Sequence, residues 1–395
     1  MNKPVYIVEA KRSAIGKAKK GGFAKTRPDE LLAKIIKETV ASSKVNPKDI
    51  EDVIIGCSFP EAQQGLNVAR IAALLADLPN SVPGITINRY CSSGLNSVAF
   101  AANLIATGQC EVVLAGGIES MSLIPMGGND LSFSPEVFSR DEHVAIAYGM
   151  GITAENVAND WKISREAQDA FALESHKRAV DAISKGYFKE EIIPVEVIHR
   201  IPDEATGKII EKKFVVDTDE GPRADTTVEA LAKLKPVFAT NGSVTAGNSS
   251  QMSDGAACLV LVSEEYLKAH NLKPIGKFLG FAVCGVDPRI MGIGPIKAIP
   301  KVLEQTGLTM DQIDWIELNE AFAAQSLAVI HDLKMDPSKV NPCGGAISMG
   351  HPLGATGAIL SAKTLHALKR TKKKYGMVTM CIGTGMGAAG IFEAL

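Results

Sequence analysis

Two cysteines, a histidine and an asparagine stand at turns in this sequence, and together they could supply a nucleophile, a base, a proton donor and a hydrogen-bonding amide. Cys91 lies between the apolar run 84–88 and a helical pattern over 95–106. A thiol at such a turn faces the free N–H groups of the first helical turn and the positive end of its dipole. Both favour the thiolate, the nucleophilic form. Ser92, Ser93 and Gly94 are small and leave room for an incoming group. A cysteine is also a common buried filler, so position alone leaves that reading open. His351, lifted onto a turn by Gly350 and followed by Pro352, could reach a facing group as a base, or could be structural. Cys381 ends the apolar run 376–381 and could move a proton as a general acid or base. Asn319 ends the run 314–319. Its amide could hold a water or a carbonyl oxygen, or could cap the helix expected from Ala321. The glycines after Cys381 could bring backbone N–H groups close to a reacting carbonyl. Gly385 to Gly390 also fit the GxGxxG dinucleotide pattern, but the chain ends at Leu395, too soon for the helix, strand and acidic residue that fingerprint requires.

The elements that must position these residues recur. In the N-terminal half, strands are expected over 5–8, 52–57, 84–88 and 111–117, with helices near 30–36, 68–75 and 95–106. In the C-terminal half, strands over 314–319 and 376–381 alternate with helices over 321–332 and 358–368, again in that order. Asn319 follows Cys57, His351 follows Cys91 and Cys381 follows Gly116 at a nearly constant offset of about 260 residues, the mark of a duplicated unit. Strands alternating with helices predict an α/β fold with right-handed crossovers and largely parallel sheets, whose sites form at the carboxyl ends of strands. Residues 122–245 break the pattern. They are richer in charge and turns and carry their own helix over 164–185, capped by Ser164. The expected organisation is an N-terminal core half over 1–121, an inserted loop domain over 122–245 that lies over the sheet ends and supplies a binding wall, a return to the first core over 246–272, and a C-terminal core half over 273–395.

Composition narrows the function. The chain has 395 residues, 46% of them apolar and 22% charged, and a net charge of −2. A general nucleic-acid binder would need a basic surplus. No stretch reaches the roughly 20 apolar residues of a membrane span. The first residues lack an apolar leader, so a cytoplasmic location is expected, with an uncleaved organelle signal left open. Seven cysteines with no Cys-x-x-Cys argue against a disulfide framework and thiolate-bound zinc, and no metal is expected. Walker, Gly-x-Ser-x-Gly and His-Glu-x-x-His motifs are absent.

The whole chain resembles the thiolase family. The motifs are the segment around Val5–Ser13, Asn88 to Gly94 around Cys91, Gly116 to Met121, Val244 to Asn248, Asn319 to Phe322, Gly344 to Gly357 around His351, and Cys381 to Gly387. The resemblance implies a duplicated five-layered α-β-α-β-α core with an inserted loop domain. It implies Cys91 as the acylated nucleophile, His351 as its activator and Cys381 as the proton donor or acceptor at the α-carbon. Asn319, through a water, and His351 would form one oxyanion hole, and the N–H groups of Cys91 and Gly383 the other. Ser250 and Arg223 match positions that contact coenzyme A. No permanent cofactor is implied; CoA is a co-substrate and acyl-CoA the partner substrate. A homodimer or homotetramer is expected, with a hydratase–dehydrogenase subunit as a further candidate partner. Three departures bear on chain length: Gly149 where acetoacetyl-specific members typically have His, Ser348-Met349 before Gly350, and Thr384 for a common Gly. Asn88-Arg-Tyr-Cys resembles the degradative 3-ketoacyl-CoA members more than the acetoacetyl-specific ones. Alternatives are an acetyl-CoA acetyltransferase, a decarboxylating condensing enzyme, against which Cys381 argues, and a non-catalytic acyl-CoA or lipid binder.

Overall fold

Two helices show why the fold is layered. Pro28–Ser43 buries one stripe, Leu31, Leu32, Ile35, Ile36 and Val40, and turns Glu30, Lys34 and Lys37 outward or to the rim. Leu353–Thr371 is buried all round from Leu353 to Leu368. A one-sided helix belongs on the outside of a sheet; a helix buried on every face must lie between sheets. The structure, a computed structural model, describes residues 3–203 and 206–395. Its strands are β1 (Val5–Arg12), β2 (Gly16–Lys17), β3 (Asp52–Gly56), β4 (Ile85–Ile87), β5 (Val112–Ser120), β6 (Val195–Pro202), β7 (Ile209–Val216), β8 (Ser253–Ser263), β9 (Gly276–Gly285), β10 (Trp315–Leu318), β11 (Tyr375–Ile382) and β12 (Met386–Ala394).

The main sheet runs β10-β11-β12-β9-β1-β8-β5-β3-β4, with β2 beside β8. The junction is the antiparallel pair β1 and β9. On either side of it the order repeats. Strand β3 pairs in parallel with β4 and β5, and β8 runs antiparallel between β5 and β1. Likewise β10 pairs in parallel with β11 and bridges in parallel to Val340, and β12 runs antiparallel between β11 and β9. The duplication inferred from offsets is therefore a duplication of topology. Helix Pro28–Ser43 covers one sheet half and Gly294–Thr306 the other, while Ser93–Ala106 and Leu353–Thr371 pack between them. This is the five-layered α-β-α-β-α order.

The expectation of largely parallel sheets is corrected. Each half contains one antiparallel return strand, β8 or β12, paired on both sides. Between β11 and β12 only Gly383, Thr384 and Gly385 connect the strands, which permits a hairpin and no crossover. The Gly- and Ala-rich tail, to which the sequence assigned no strand, is strand because it is sandwiched. A Cβ on Gly387 would lie 2.0 Å from the carbonyl carbon of Gly294. Large side chains would hold the helix Gly294–Thr306 off the sheet.

Between β5 and β8 the chain leaves the main sheet. Helices Met150–Asp160 and Arg165–Ser184 and the β6–β7 hairpin lie here, and Ser164 Oγ accepts the Ala167 N–H as expected of a cap. One buried cation bolts this stretch to the core. Arg12, on β1, forms a 2.8 Å ion pair with Glu191 and a two-pronged pair with Asp219 at 2.7 and 3.0 Å. Asp219 also accepts the Ile15 N–H at 2.7 Å. A planar guanidinium fully enclosed between two carboxylates fixes orientation as well as distance.

Candidate active site

Cys91 sits in the 3-10 turn Tyr90–Ser92, which runs directly into helix Ser93–Ala106. Side chains on both flanks impose the turn. Asn88 Oδ1 accepts the Tyr90 N–H, Ser93 Oγ accepts the Arg89 N–H, both at 2.8 Å, and the Ser93 hydroxyl donates to the Tyr90 carbonyl at 2.7 Å. Tyr90 is held at φ +43°, a left-handed conformation bulky residues rarely adopt. A Cβ on Gly94 would lie 2.7 Å from the Ala358 nitrogen, so the two central helices touch backbone to backbone beside Cys91.

The N–H groups of Gly383 and of Cys91 itself reach the Cys91 sulfur and favour its anion. Burial outweighs them and pushes Cys91 up to about 11. The surroundings therefore push the half-buried thiol upward, against the lowering that the helix end alone predicts. The helix end that offers N–H groups is itself enclosed by the second half of the fold. Desolvating the anion costs more than two hydrogen bonds recover. Cys381 is raised as well, by burial first and by the Cys91 charge second, so the two thiols face one another electrostatically. Only Cys91 receives the Gly383 N–H; it is the more readily ionised of the pair.

His351 arrives from the other half. Gly350 adopts φ +115°, and a Cβ there would lie 2.1 Å from Ser253 Oγ, so only glycine can make the turn. The helix that follows begins at Leu353 with Pro352 at its cap, one position earlier than a first-turn proline. The imidazole Nδ1 lies 2.7 Å from Thr356 Oγ1, and Nε2 lies 3.3 Å from Asn319 Nδ2. An amide nitrogen can only donate. Nε2 is therefore the acceptor, and Nδ1 carries the proton toward Thr356. Burial lowers His351 to about 4, so it is neutral at pH 7, the form a base requires. Asn319 is no helix cap: the next helix is Ala323–Asp332, capped at Phe322. Its Oδ1 is buried and has no partner among the described residues.

Around Cys381 pack Ala154, Val244, Met291, Ala321 and Phe322, with Met150 against them. Met150 Sδ lies 3.7 Å from where a Gly383 Cβ would stand. A Cβ at Gly149, an exposed position next to Met150, would meet nothing within 4 Å. Thr384, the departure noted above, sits at φ +67°, an uncommon conformation for a β-branched residue, and its hydroxyl donates to the Gly383 carbonyl at 2.5 Å.

Arg223 and Ser250 approach from the insert and the return segment. Arg223 is exposed and lines a cleft of about 260 Å³ together with His176, Leu231, Gly247, Gln251 and Ile347. The Arg223 N–H donates to His176 Nδ1 at 3.1 Å. Burial, with Arg223 adding to it, lowers His176 to about 4. Ser250 stands between Gly247 and Gln251; its N–H donates to the Ala321 carbonyl at 2.9 Å, tying this loop to the one that carries Asn319.

Three further residues hold the site and were not singled out by chemistry in the sequence. Glu119, 1% exposed, accepts the N–H groups of Ser58 and Gly354, each at 2.8 Å, bracing the start of the helix that follows His351. Asn341 grips both backbone groups of Leu318, at 2.9 and 2.8 Å, and so sets Asn319 at the strand end. Glu320 accepts from Asn341 at 2.8 Å and from Ser175 at 2.6 Å. A carboxylate closing the apolar run 112–118 was the available signal for Glu119. No such signal marked Asn341.

The family comparisons agree with this geometry. The thiolase N-terminal domain family matches residues 5–265 and the thiolase C-terminal domain family residues 272–394. A 3-ketoacyl-CoA thiolase of Bacillus subtilis is 50% identical over 99% of this chain and 99% of its own. The human peroxisomal 3-ketoacyl-CoA thiolase is 45% identical over 98% of this chain and 90% of its own. Among solved structures, human mitochondrial 3-ketoacyl-CoA thiolase superposes with a TM-score of 0.89 at 39% identity, covering 99% of each chain. The Bacillus anthracis acetyl-CoA acetyltransferase also gives 0.89, at 41% identity, covering 100% of this chain and 99% of its own.

Proposed function

The chain belongs to the thiolase family, and from that premise we propose that it is an acyltransferase that cleaves 3-ketoacyl-CoA with CoA in fatty-acid β-oxidation. The observation that supports this reading most is that the Cys91 and Cys381 thiols are near enough for the charge of one to raise the other, with the Gly383 N–H on the first and apolar side chains packed about the second. Cys91 sulfur attacks the 3-keto carbon as its proton passes to His351 Nε2. The new C–S bond is matched by cleavage of the C2–C3 bond, whose electron pair leaves as the acetyl-CoA enolate. Cys381 protonates that carbon. CoA then enters, gives its proton to the Cys381 thiolate and takes the acyl group from Cys91, whose departing thiolate recovers its proton from His351. The N–H groups of Cys91 and Gly383 stabilise the oxyanion on the Cys91 adduct, and Asn319, with a water, and His351 stabilise the enolate oxygen. The cleft beside Arg223 takes CoA, since its inner wall, Ile347 and Gln251, leads onto the His351 loop. No permanently bound cofactor enters any step.

Open space at Gly149 beside Met150 favours acyl chains longer than acetyl. Turnover on a length series of 3-ketoacyl-CoA substrates tests this. Cleavage should extend to medium chains. Turnover confined to acetoacetyl-CoA would instead support the acetyltransferase reading, and no turnover at any length would support a binder. A β-ketoadipyl-CoA thiolase of Pseudomonas knackmussii is 46% identical to this chain, so a dicarboxylic substrate belongs in the series. We further expect a dimer or tetramer, because β4 leaves a sheet edge with Ile85 48% exposed. Light scattering at micromolar concentration checks it, and a monomer would contradict it. A hydratase–dehydrogenase subunit, which would supply the ketoacyl substrate, is the further partner this reading expects.

A further inference from the structure

We infer that Gln251 is a positioning residue that couples CoA binding to the geometry of the catalytic histidine, an inference that rests on the thiolase reading above. Gln251 is half-buried and touches three separate parts of the chain. Its side-chain Nε2 donates to the carbonyls of Gly221 at 3.2 Å, Ile347 at 3.1 Å and Ser348 at 2.9 Å. Its own carbonyl accepts the His351 N–H at 3.0 Å. The next residue, Met252, bridges to His351 in parallel.

These contacts form a single device. Gly221 lies two residues before Arg223, in the strap that lines the CoA cleft, and that strap is bolted to β1 through Asp219 and Arg12. A Cβ on Gly221 would lie 2.3 Å from the Ser348 oxygen and 2.7 Å from the Met349 oxygen. The strap therefore lies directly on the backbone that leads into Gly350 and His351. Carbonyl groups packed this closely repel one another unless a donor stands among them. The Gln251 amide is the donor the structure provides, its two N–H groups being shared among three carbonyls so that at least one bond is bifurcated. Its backbone meanwhile sets the height of His351, whose Nε2 meets Asn319. Moving the strap moves Ser348 and, through Gln251, the imidazole. The side chain also lines the cleft itself, so a ligand in the cleft would press on the same amide.

The test uses the full-length protein with Gln251→Met, which keeps length and removes both donors, and Gln251→Glu, which can donate only when protonated. For Gln251→Met we expect CoA affinity by calorimetry and kcat for thiolysis each to fall by about 10-fold, the scale of one lost hydrogen-bond anchor. The His351 ring, followed by NMR, should titrate nearer its ordinary 6.5 as its loop loosens and water enters. For Gln251→Glu, activity relative to wild type should be higher at pH 6 than at pH 8, because protonation restores one donor. A Gln251→Met protein with unchanged CoA affinity, kcat and His351 titration overturns the inference. So does a lowered melting temperature with activity per folded molecule intact, which would make Gln251 merely structural. If wild type itself cleaves no ketoacyl-CoA, the thiolase reading has failed instead. The calorimetric and NMR arms then still decide whether Gln251 links cleft and histidine.

Discussion

Cys91→Ser should lose thiolysis by a factor on the order of 10⁴ or more, the scale of removing a covalent nucleophile. The thiol rests near 11 and His351 near 4, so even wild type holds a neutral pair, and the proton leaves only as sulfur attacks. A serine hydroxyl is far less acidic than a thiol, and the same enclosed pocket would desolvate its anion equally. Incubation with an acyl-CoA followed by peptide mass spectrometry should place the acyl group on Cys91 in wild type and nowhere in the variant. Acylation of another cysteine with Cys91 free would refute the assignment. The pH dependence has a definite sign. Burial depresses His351, so its base form persists below the ordinary value of 6.5. Acyl loading of the free enzyme should therefore stay level down to about pH 5 and fall as pH approaches 4. A fall centred near 6.5 would show that the imidazole is solvated in the working enzyme.

Cys381→Ala separates two steps that wild type performs together. Loading of Cys91 by a simple acyl-CoA moves no α-proton, so it should survive. Ketoacyl-CoA cleavage needs the departing enolate protonated, and it should fall by about 10²–10⁴-fold, the usual contribution of a placed acid. Burial favours this division of labour. Cys381, raised by its enclosure and by the neighbouring Cys91, keeps its proton until a carbanion is there to take it. Its apolar surroundings, Met291 and Phe322 among them, exclude the water that could substitute. Both steps should be measured on one preparation whose melting curve matches wild type. Equal loss of loading and cleavage would refute separate roles. Cleavage within a few-fold of wild type would make Cys381 structural.

Which of these features were legible in the chain depends on how far each interaction reaches. Cys91, Cys381 and Asn319 were visible because each follows or ends an apolar run, and strand-end chemistry is a local pattern. His351 was visible only from Gly350 and Pro352 beside it; it follows the short helix Ala346–Met349, which corrects the expectation that it stands at a strand end. The turn at Cys91 was visible for the same reason: Asn88 and Ser93, within five residues of one another, build it. The duplication showed in spacing alone, since two copies of one topology repeat their turns. The antiparallel returns were less visible. β8 is a continuous apolar run over Ala256–Val262 that a strand search finds, but its direction follows from which neighbours it joins. β12 was hidden because close packing against Gly294 demands the small residues that otherwise signal loop.

By itself the sequence determined the residue types of the site, the elements that present them, the order of the two halves and membership in the thiolase family. The tertiary structure alone decided the electrostatic state of those residues. Cys91 was expected to be acidic because its own helix end is local, yet burial in the folded chain pushes its thiol upward while Gly383, far along the sequence, donates an N–H that partly offsets this. The proton on His351 is placed by Asn319 and Thr356, and the strap that lines the cleft beside Arg223 is fixed by Arg12 and Gln251. Spacing along the chain sets local conformation, but desolvation and hydrogen-bond partners depend on atoms brought together from across it, and those exist only in the folded state.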